Sequence, residues 1–276
     1  MSIWFTERQS DGYEVRWLVK RLLHQERTAY QQLTVVELAE FGRALLLDDI
    51  VQTTVGDEYI YHEMIVHTPL FVHPAPRRVL VIGGGDGGAV REALRHPTVD
   101  AVDLVEIDER VVAAARVWLP EIAGSLDDRR VRLHYTDGFR FVAETDQTWD
   151  AVIVDASDPI GPAVGLFSRE FHQQVRQRLA PEGVICTQSG SPFFNRELLR
   201  QVAGTVAELY PQSGTCLACI PTYPSGLWSF TVGSLRGDPS QPRRRPDFTT
   251  RYYSSDYHRS SFTLPPFITH LTSPTR

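Results

Sequence analysis

Four apolar runs in this chain each end in carboxylates. Val79–Ile82 runs into Gly83-Gly-Gly-Asp-Gly-Gly88, where Gly83, Gly85 and Gly88 keep G-x-G-x-x-G spacing and Asp86 sits inside the turn. Ala101–Ile107 ends around Glu106 and Asp108. Val131–Tyr135 is followed by Asp137-Gly138, and Ala151–Val154 by Asp155-Ala-Ser-Asp158-Pro159. Any one of these acids reads most simply as a helix cap, because a carboxylate after a strand accepts from the free N–H groups of the next helix. Four in register with a glycine loop point to a site.

The chemistry follows from charge. A carboxylate at Glu106 is spaced to accept hydrogen bonds from the paired hydroxyls of a ribose, which implies a nucleoside. Asp86 argues against a pyrophosphate, since an unscreened carboxylate beside an anion costs several kcal/mol. A nucleoside with a cationic tail suits it better. The tail of S-adenosylmethionine carries both an ammonium and a carboxylate, so a tail with only the amine fits best. Asp155 and Asp158 are suited to hold an ammonium and to accept its proton, which an amine nucleophile requires.

These positions need a scaffold. Residues 1–57 alternate in short stretches with a turn at Asp48-Asp49, which predicts a small antiparallel β domain. A helix over 57–70 is expected to stop at Pro69. From residue 58 to 276 strands and helices alternate: strands at 79–82, 101–107, 131–135, 151–154 and 183–187, and helices at 89–95, 109–118, 170–179 and 195–210. The helix over 170–179 is expected to close at Pro181-Glu-Gly183, and two further strands lie at 217–220 and 227–232. This is the pattern of a Rossmann-like, methyltransferase-type doubly wound α/β sheet, in which ligands bind beyond the carboxyl ends of the strands.

Composition excludes several classes. The net charge of −6 is wrong for a nucleic-acid binder. No apolar run approaches the roughly 20 residues of a membrane helix, and the N-terminus lacks a signal-peptide pattern, so a cytoplasmic protein is expected. Lys20 is the only lysine, which removes the P-loop pattern and makes a Schiff base improbable. Cys186, Cys216 and Cys219 are too few for a disulfide framework, and the lone C-x-x-C reads as structural. His62-Glu63 followed by His67 has the wrong spacing for a zincin. Arg243-Arg244-Arg245 reads as a solvated loop.

The assembled motifs resemble those of the polyamine aminopropyltransferases, in particular the spermidine synthases. The likeness runs through Trp4-Phe-Thr-Glu7, Phe41-Gly-Arg43, Val51-Gln-Thr-Thr54, Tyr59-Ile-Tyr-His-Glu-Met64, the glycine loop and Val105-Glu-Ile-Asp108. It continues in Asp155-Ala-Ser-Asp-Pro-Ile-Gly-Pro162, Ile220-Pro-Thr-Tyr-Pro-Ser-Gly226 and Arg251-Tyr-Tyr253. The resemblance implies transfer of the aminopropyl group of decarboxylated S-adenosylmethionine to putrescine, giving spermidine and 5′-methylthioadenosine. Asp155 would accept the proton. Asp158 would hold the diamine with His62, Tyr61 and Tyr223, Gln52 would be a further contact, and Asp86 would bind the aminopropyl ammonium. Glu106 would hold the ribose, with Asp108 nearby. Asp137 and Gly138 would frame the adenine, and Gln31, Gly83, Gly85 and Pro162 would line the nucleoside pocket. No cofactor or metal is implied, since the donor is a co-substrate. Assembly as a homodimer or homotetramer is expected.

The rival readings are an aminopropyltransferase for another acceptor (agmatine, cadaverine or spermidine), an S-adenosylmethionine-dependent amine N-methyltransferase, an inert polyamine-binding protein and a nicotinamide oxidoreductase. Asp86 weighs against the methyltransferase and the oxidoreductase. The presence of both Asp155 and Asp158 weighs against the inert binder.

Overall fold

The computed structural model describes residues 3–157 and 161–272. Asp158, with Pro159 and Ile160, lies outside the described residues. The first five strands, β1 (Ile3–Ser10), β2 (Tyr13–Arg27), β3 (Gln32–Leu38), β4 (Gly42–Leu47) and β5 (Ile50–Thr54), form an antiparallel sheet in chain order. The small antiparallel β unit expected at the N-terminus is present. Burial alternates along β1 from Trp4 to Ser10, but two of its three inward side chains, Glu7 and Gln9, are polar, so hydrophobicity alone does not trace the strand.

Helix α1 (Glu58–Val72) follows. It does not stop at Pro69, as the sequence reading had it. Pro69 gives up one i→i−4 bond, but the helix is buried from Ile60 to Val72, and that packing outweighs the lost bond. Its last carbonyls are capped from a distance: Arg244 donates to the carbonyls of Leu70 and His73. That corrects the view of 243–245 as a solvated loop for Arg244 alone, which is half-buried on α1, while Arg243 and Arg245 are exposed as expected.

The second sheet contains β6 (Arg78–Gly83), β7 (Ala101–Glu106), β8 (Val131–Tyr135), β9 (Trp149–Asp155), β10 (Leu179–Gln188), β11 (Gln212–Cys219) and β12 (Leu227–Ser234). Their order is β11-β12-β10-β9-β6-β7-β8, with the run from β8 to β10 parallel and the last two strands antiparallel. Pro181 lies inside β10, where a register shift between Leu179 and Val184 accommodates it. The expected helix is accordingly shorter: α6 spans Arg169–Gln177 and is capped by Ser168.

The sheet is covered on both faces. Val79 and Val81 of β6 pack with α1, α2 (Gly88–Leu94) and α3 (Glu109–Trp118), while Leu80 and Ile82 pack with α5 (Gly138–Glu144), α6 and α7 (Arg196–Leu209). Two-sided burial explains why the central strands read as continuous apolar runs. Each such side chain contributes about 1.5–3 kcal/mol. The N-terminal sheet packs Leu33, Val35 and Leu45 against α3 and the short helix α4 (Pro120–Ala123). Two further short helices, α8 (Ser255–Ser261) and α9 (Pro266–Thr272), complete the chain. Among the described residues no helix is long and apolar enough to cross a membrane.

Candidate active site

The chain leaves β6 toward one side of the sheet (β7, β8) and later returns to the other (β9, β10), so the topological switch point falls between β6 and β9. The register there pairs Gly83 with Asp155. A cavity of about 540 Å³ opens at this point, within the size range of a small-molecule site.

The glycine loop is shaped by what lies against it. Gly84 has a φ of +67°, and a Cβ there would stand 2.5 Å from Asp155 Oδ2. Gly88 lies under the His62 ring, with no room for a side chain. The loop thus lets Asp155 and His62 close on the same spot. Asp86 Oδ1 accepts from the Gly88 N–H at 2.9 Å and stands 3.5 Å from His62 Nε2.

Tyr61 and His62 are neighbours on α1, and their side chains reach different acids. The Tyr61 hydroxyl donates to Asp155 Oδ1 at 2.6 Å. Asp155 Oδ2 is shielded from solvent and has no hydrogen-bond partner among the described residues. Burial pushes the Asp155 carboxyl up to about 6, with the His62 charge opposing the shift and Asp86 adding to it.

Glu106 is held by backbone: its Oε1 accepts from the Asp108 N–H at 2.9 Å and its Oε2 from the Gly85 N–H at 3.2 Å. Burial raises it to about 7 even so. Asp108 does not line the cavity. Its Oδ1 caps α3 through the Arg110 N–H, and its Oδ2 accepts from Thr28 and from Gln31 Nε2 at 3.1 Å, which fixes Gln31 at the cavity wall. Asp137 both lines the cavity and caps α5. Capping and site formation are therefore not alternatives here, because the same strand ends serve both.

Tyr223 arrives from the loop between β11 and β12. Asp57 holds that loop, accepting from the Thr222 N–H and hydroxyl, and Tyr223 donates to the Gln52 carbonyl at 2.6 Å. Gly83, Gly85, Gln52 and Gly138 also line the cavity, and the backbone of Pro162 lies in the 3-10 turn Gly161–Phe167. The sequence reading missed Tyr30, Gln188, Trp228 and Leu166 on the wall. Trp228 packs edge-on against Tyr223 with ring centroids 4.7 Å apart. An aromatic inside a strand reads as core, so nothing in its local pattern separates it from one. His67, the second histidine of the zincin-like pattern, is buried against His96 and Glu92, away from the cavity. Glu63 accepts from the backbone N–H groups of Arg251, Tyr252 and Tyr253.

The fold and the site define a Rossmann-like, methyltransferase-type protein with a cavity at its switch point. Residues 58–241 match the spermine/spermidine synthase domain, and residues 3–55 match the spermidine synthase tetramerisation domain. The chain is similar to the polyamine aminopropyltransferase of Desulforudis audaxviator, with 49% identity over 97% of this chain and 98% of that one. It is also similar to the same enzyme of Moorella thermoacetica, with 50% identity over 96% of this chain and 95% of that one. Among solved structures it superposes on a spermidine synthase bound to the transition-state analogue AdoDATO, with a TM-score of 0.95, 31% identity and coverage of 98% and 94%. The spermidine synthase of Thermotoga maritima superposes with a TM-score of 0.92, at 30% identity and the same coverage. The chain belongs to the spermine/spermidine synthase family, and it is an enzyme of the polyamine aminopropyltransferase type.

Proposed function

We propose that this enzyme transfers the aminopropyl group of decarboxylated S-adenosylmethionine to putrescine, releasing spermidine and 5′-methylthioadenosine, with Asp155 as the proton acceptor. The observation that carries the reading is the state of the Asp155 carboxylate. Tyr61 holds one oxygen, while the other is shielded, unpartnered among the described residues and set beside Asp86 in the cavity. A carboxyl pushed up to about 6 is ionised at neutral pH yet basic enough to take a proton from an amine.

In the reaction the amine lone pair attacks the carbon next to the sulfonium. The carbon–sulfur bond breaks with its electrons going to sulfur, which leaves as a neutral thioether. The proton of the new ammonium passes to Asp155. The leaving group is already activated, so positioning and proton acceptance suffice, and no cofactor or metal is assigned a role. Asp86 holds the aminopropyl ammonium, Glu106 the ribose hydroxyls, and Gln31, Asp137 and Gly138 the rest of the nucleoside. His62, Tyr61, Tyr223 and Gln52 surround the acceptor, with Asp158 as its second carboxylate. The assembly is a homodimer or homotetramer joined through the N-terminal sheet. The tetramerisation-domain match and the exposed Ile3, Trp4 and Leu22 on β1 and β2 support that arrangement.

The test is release of methylthioadenosine from the decarboxylated donor with putrescine, cadaverine, agmatine or spermidine as acceptor. Putrescine is expected to be used best, and Asp155→Asn to lose about 10²- to 10⁴-fold in turnover. Turnover of intact S-adenosylmethionine in place of the decarboxylated donor would overturn the reading.

A further inference from the structure

We propose that Glu58, held in turn by Arg91, is a positioning residue that keeps His62 as an imidazolium directed at Asp86 and Asp155. The inference rests on the reading of Asp155 as proton acceptor and extends it one layer outward.

Glu58 and His62 stand four residues apart on α1, on one face of the helix. Glu58 Oε2 lies 2.6 Å from His62 Nδ1, and both side chains are almost wholly buried. The other ring nitrogen, Nε2, lies 3.5 Å from Asp86 Oδ1. A carboxylate at each nitrogen calls for a proton on each, which is the imidazolium. Arg91, on α2, forks onto both oxygens of Glu58, with Nη1 at 3.0 Å from Oε1 and Nη2 at 2.8 Å from Oε2. Without that second cation, a buried Glu58 could take up the proton itself and leave the ring neutral.

The charged and titratable groups facing this ring, among the described residues, come from every element around it. They are Glu58 and Tyr61 on α1, Asp86 in the glycine loop, Arg91 on α2 and Asp155 at the end of β9. The Cys186 thiol of β10 feels the Asp155 charge and is kept neutral by burial. One nitrogen of His62 and one oxygen each of Asp86 and Asp155 lie within 4.8 Å of one another. Burial opposes charge on His62, but Asp86 and Glu58 together hold the imidazole well above its usual value. Burial likewise opposes charge on Glu58, and His62 and Arg91 hold it below its usual value. A fixed positive charge this close favours the ionised form of Asp155 and screens it from Asp86. Two carboxylates therefore remain ionised side by side in a site built for an amine.

The sign of the effect is definite. Glu58→Gln keeps the shape and removes the charge, so His62 becomes neutral at working pH and Asp155 loses its neighbouring cation. The Asp155 pKa rises, and the acidic limb of kcat/KM moves to higher pH by about one unit. Glu58→Asp retains the charge and is expected to restore most of the shift.

The experiment measures kcat/KM for the decarboxylated donor from pH 5.5 to 9 in the wild type, Glu58→Gln and Glu58→Asp. In parallel, 15N NMR of histidine-labelled wild-type enzyme reads the charge on the His62 ring, assigned through His62→Gln. Support is an upward shift of the acidic limb in Glu58→Gln, rescue in Glu58→Asp, and a doubly protonated ring in the wild type at pH 7.5. An unmoved limb overturns the proposal, and so does a neutral wild-type ring, which can be read even if a variant fails to fold. Asp155→Asn in the same assay separates the two levels: if it stays active, the proton-acceptor reading fails, while the ring charge still decides the role of Glu58.

Discussion

The bond between Tyr61 and Asp155 offers the sharpest test of Asp155 as the proposed proton acceptor. Tyr61→Phe removes one hydroxyl from a buried side chain and leaves the ring in place against Tyr223 and Phe230. The lost bond is 2.6 Å long and donated to a carboxylate, a kind worth about 1.5–3 kcal/mol. At 1.36 kcal/mol per unit this corresponds to a rise of about 1–2 units in the Asp155 pKa. The direction follows from the donor: Tyr61 stabilises the ionised form, so its loss raises a pKa that burial has already lifted to about 6. A base titrating near 6 is about nine-tenths ionised at pH 7, and one near 7.5 about one quarter ionised. The variant should therefore be about fourfold slower than the wild type at pH 7, about fifteenfold slower at pH 6 and nearly equal at pH 9. The assay is kcat/KM across that range by release of methylthioadenosine. A loss of the same size at every pH would refute the reasoning, since it would mean that the hydroxyl only shapes the wall.

Two more outcomes follow from other buried carboxylates. Glu106, raised to about 7 in the free enzyme, should be pulled down when it accepts ribose hydroxyls. Binding of methylthioadenosine near pH 7 should then release protons and weaken as pH falls below 7; calorimetry in two buffers of different ionisation enthalpy checks this, and an absence of proton release counts against Glu106 as the ribose acceptor. Glu63 satisfies three backbone N–H groups of residues 251–253. Glu63→Ala should destabilise the enzyme by about 2–4 kcal/mol, read as a lowered denaturation midpoint, with the kcat of the folded fraction unchanged.

The parts of the site legible in the sequence are those where one local pattern does two jobs. A buried parallel strand must be apolar throughout and must hand over to a turn, so the ends at Gly83, Glu106 and Asp155 are visible without a partner strand. Asp137 could be located because capping and site formation ask for the same residue in the same place, and Asp108 because it caps α3. What stayed hidden depends on tertiary packing. Pro69 reads as a stop only until α1 is seen to be buried. Pro181 sits in a strand because the ladder shifts register around it. Trp228 and Gln188 enter the cavity from strands whose pattern reports burial and not what lies beyond it. The Arg251-Tyr-Tyr253 motif, found by resemblance alone, has its physical reason in Glu63.

The seam between the two sheets also bears on how this enzyme could change over time. Leu45 and Gln52 of the N-terminal sheet and Gln31 in its β2–β3 turn form part of the cavity wall, while Thr28, Gln31 and Glu26 are tied to Asp108, the cap of α3, and to Arg110 within it. The front piece thus supplies about a third of the residues that wall the cavity. A graft of a foreign sheet would bring a different stretch of wall with it, so shuffling of the two pieces between relatives is constrained by the shape of the cavity even where the outer surface is free to drift.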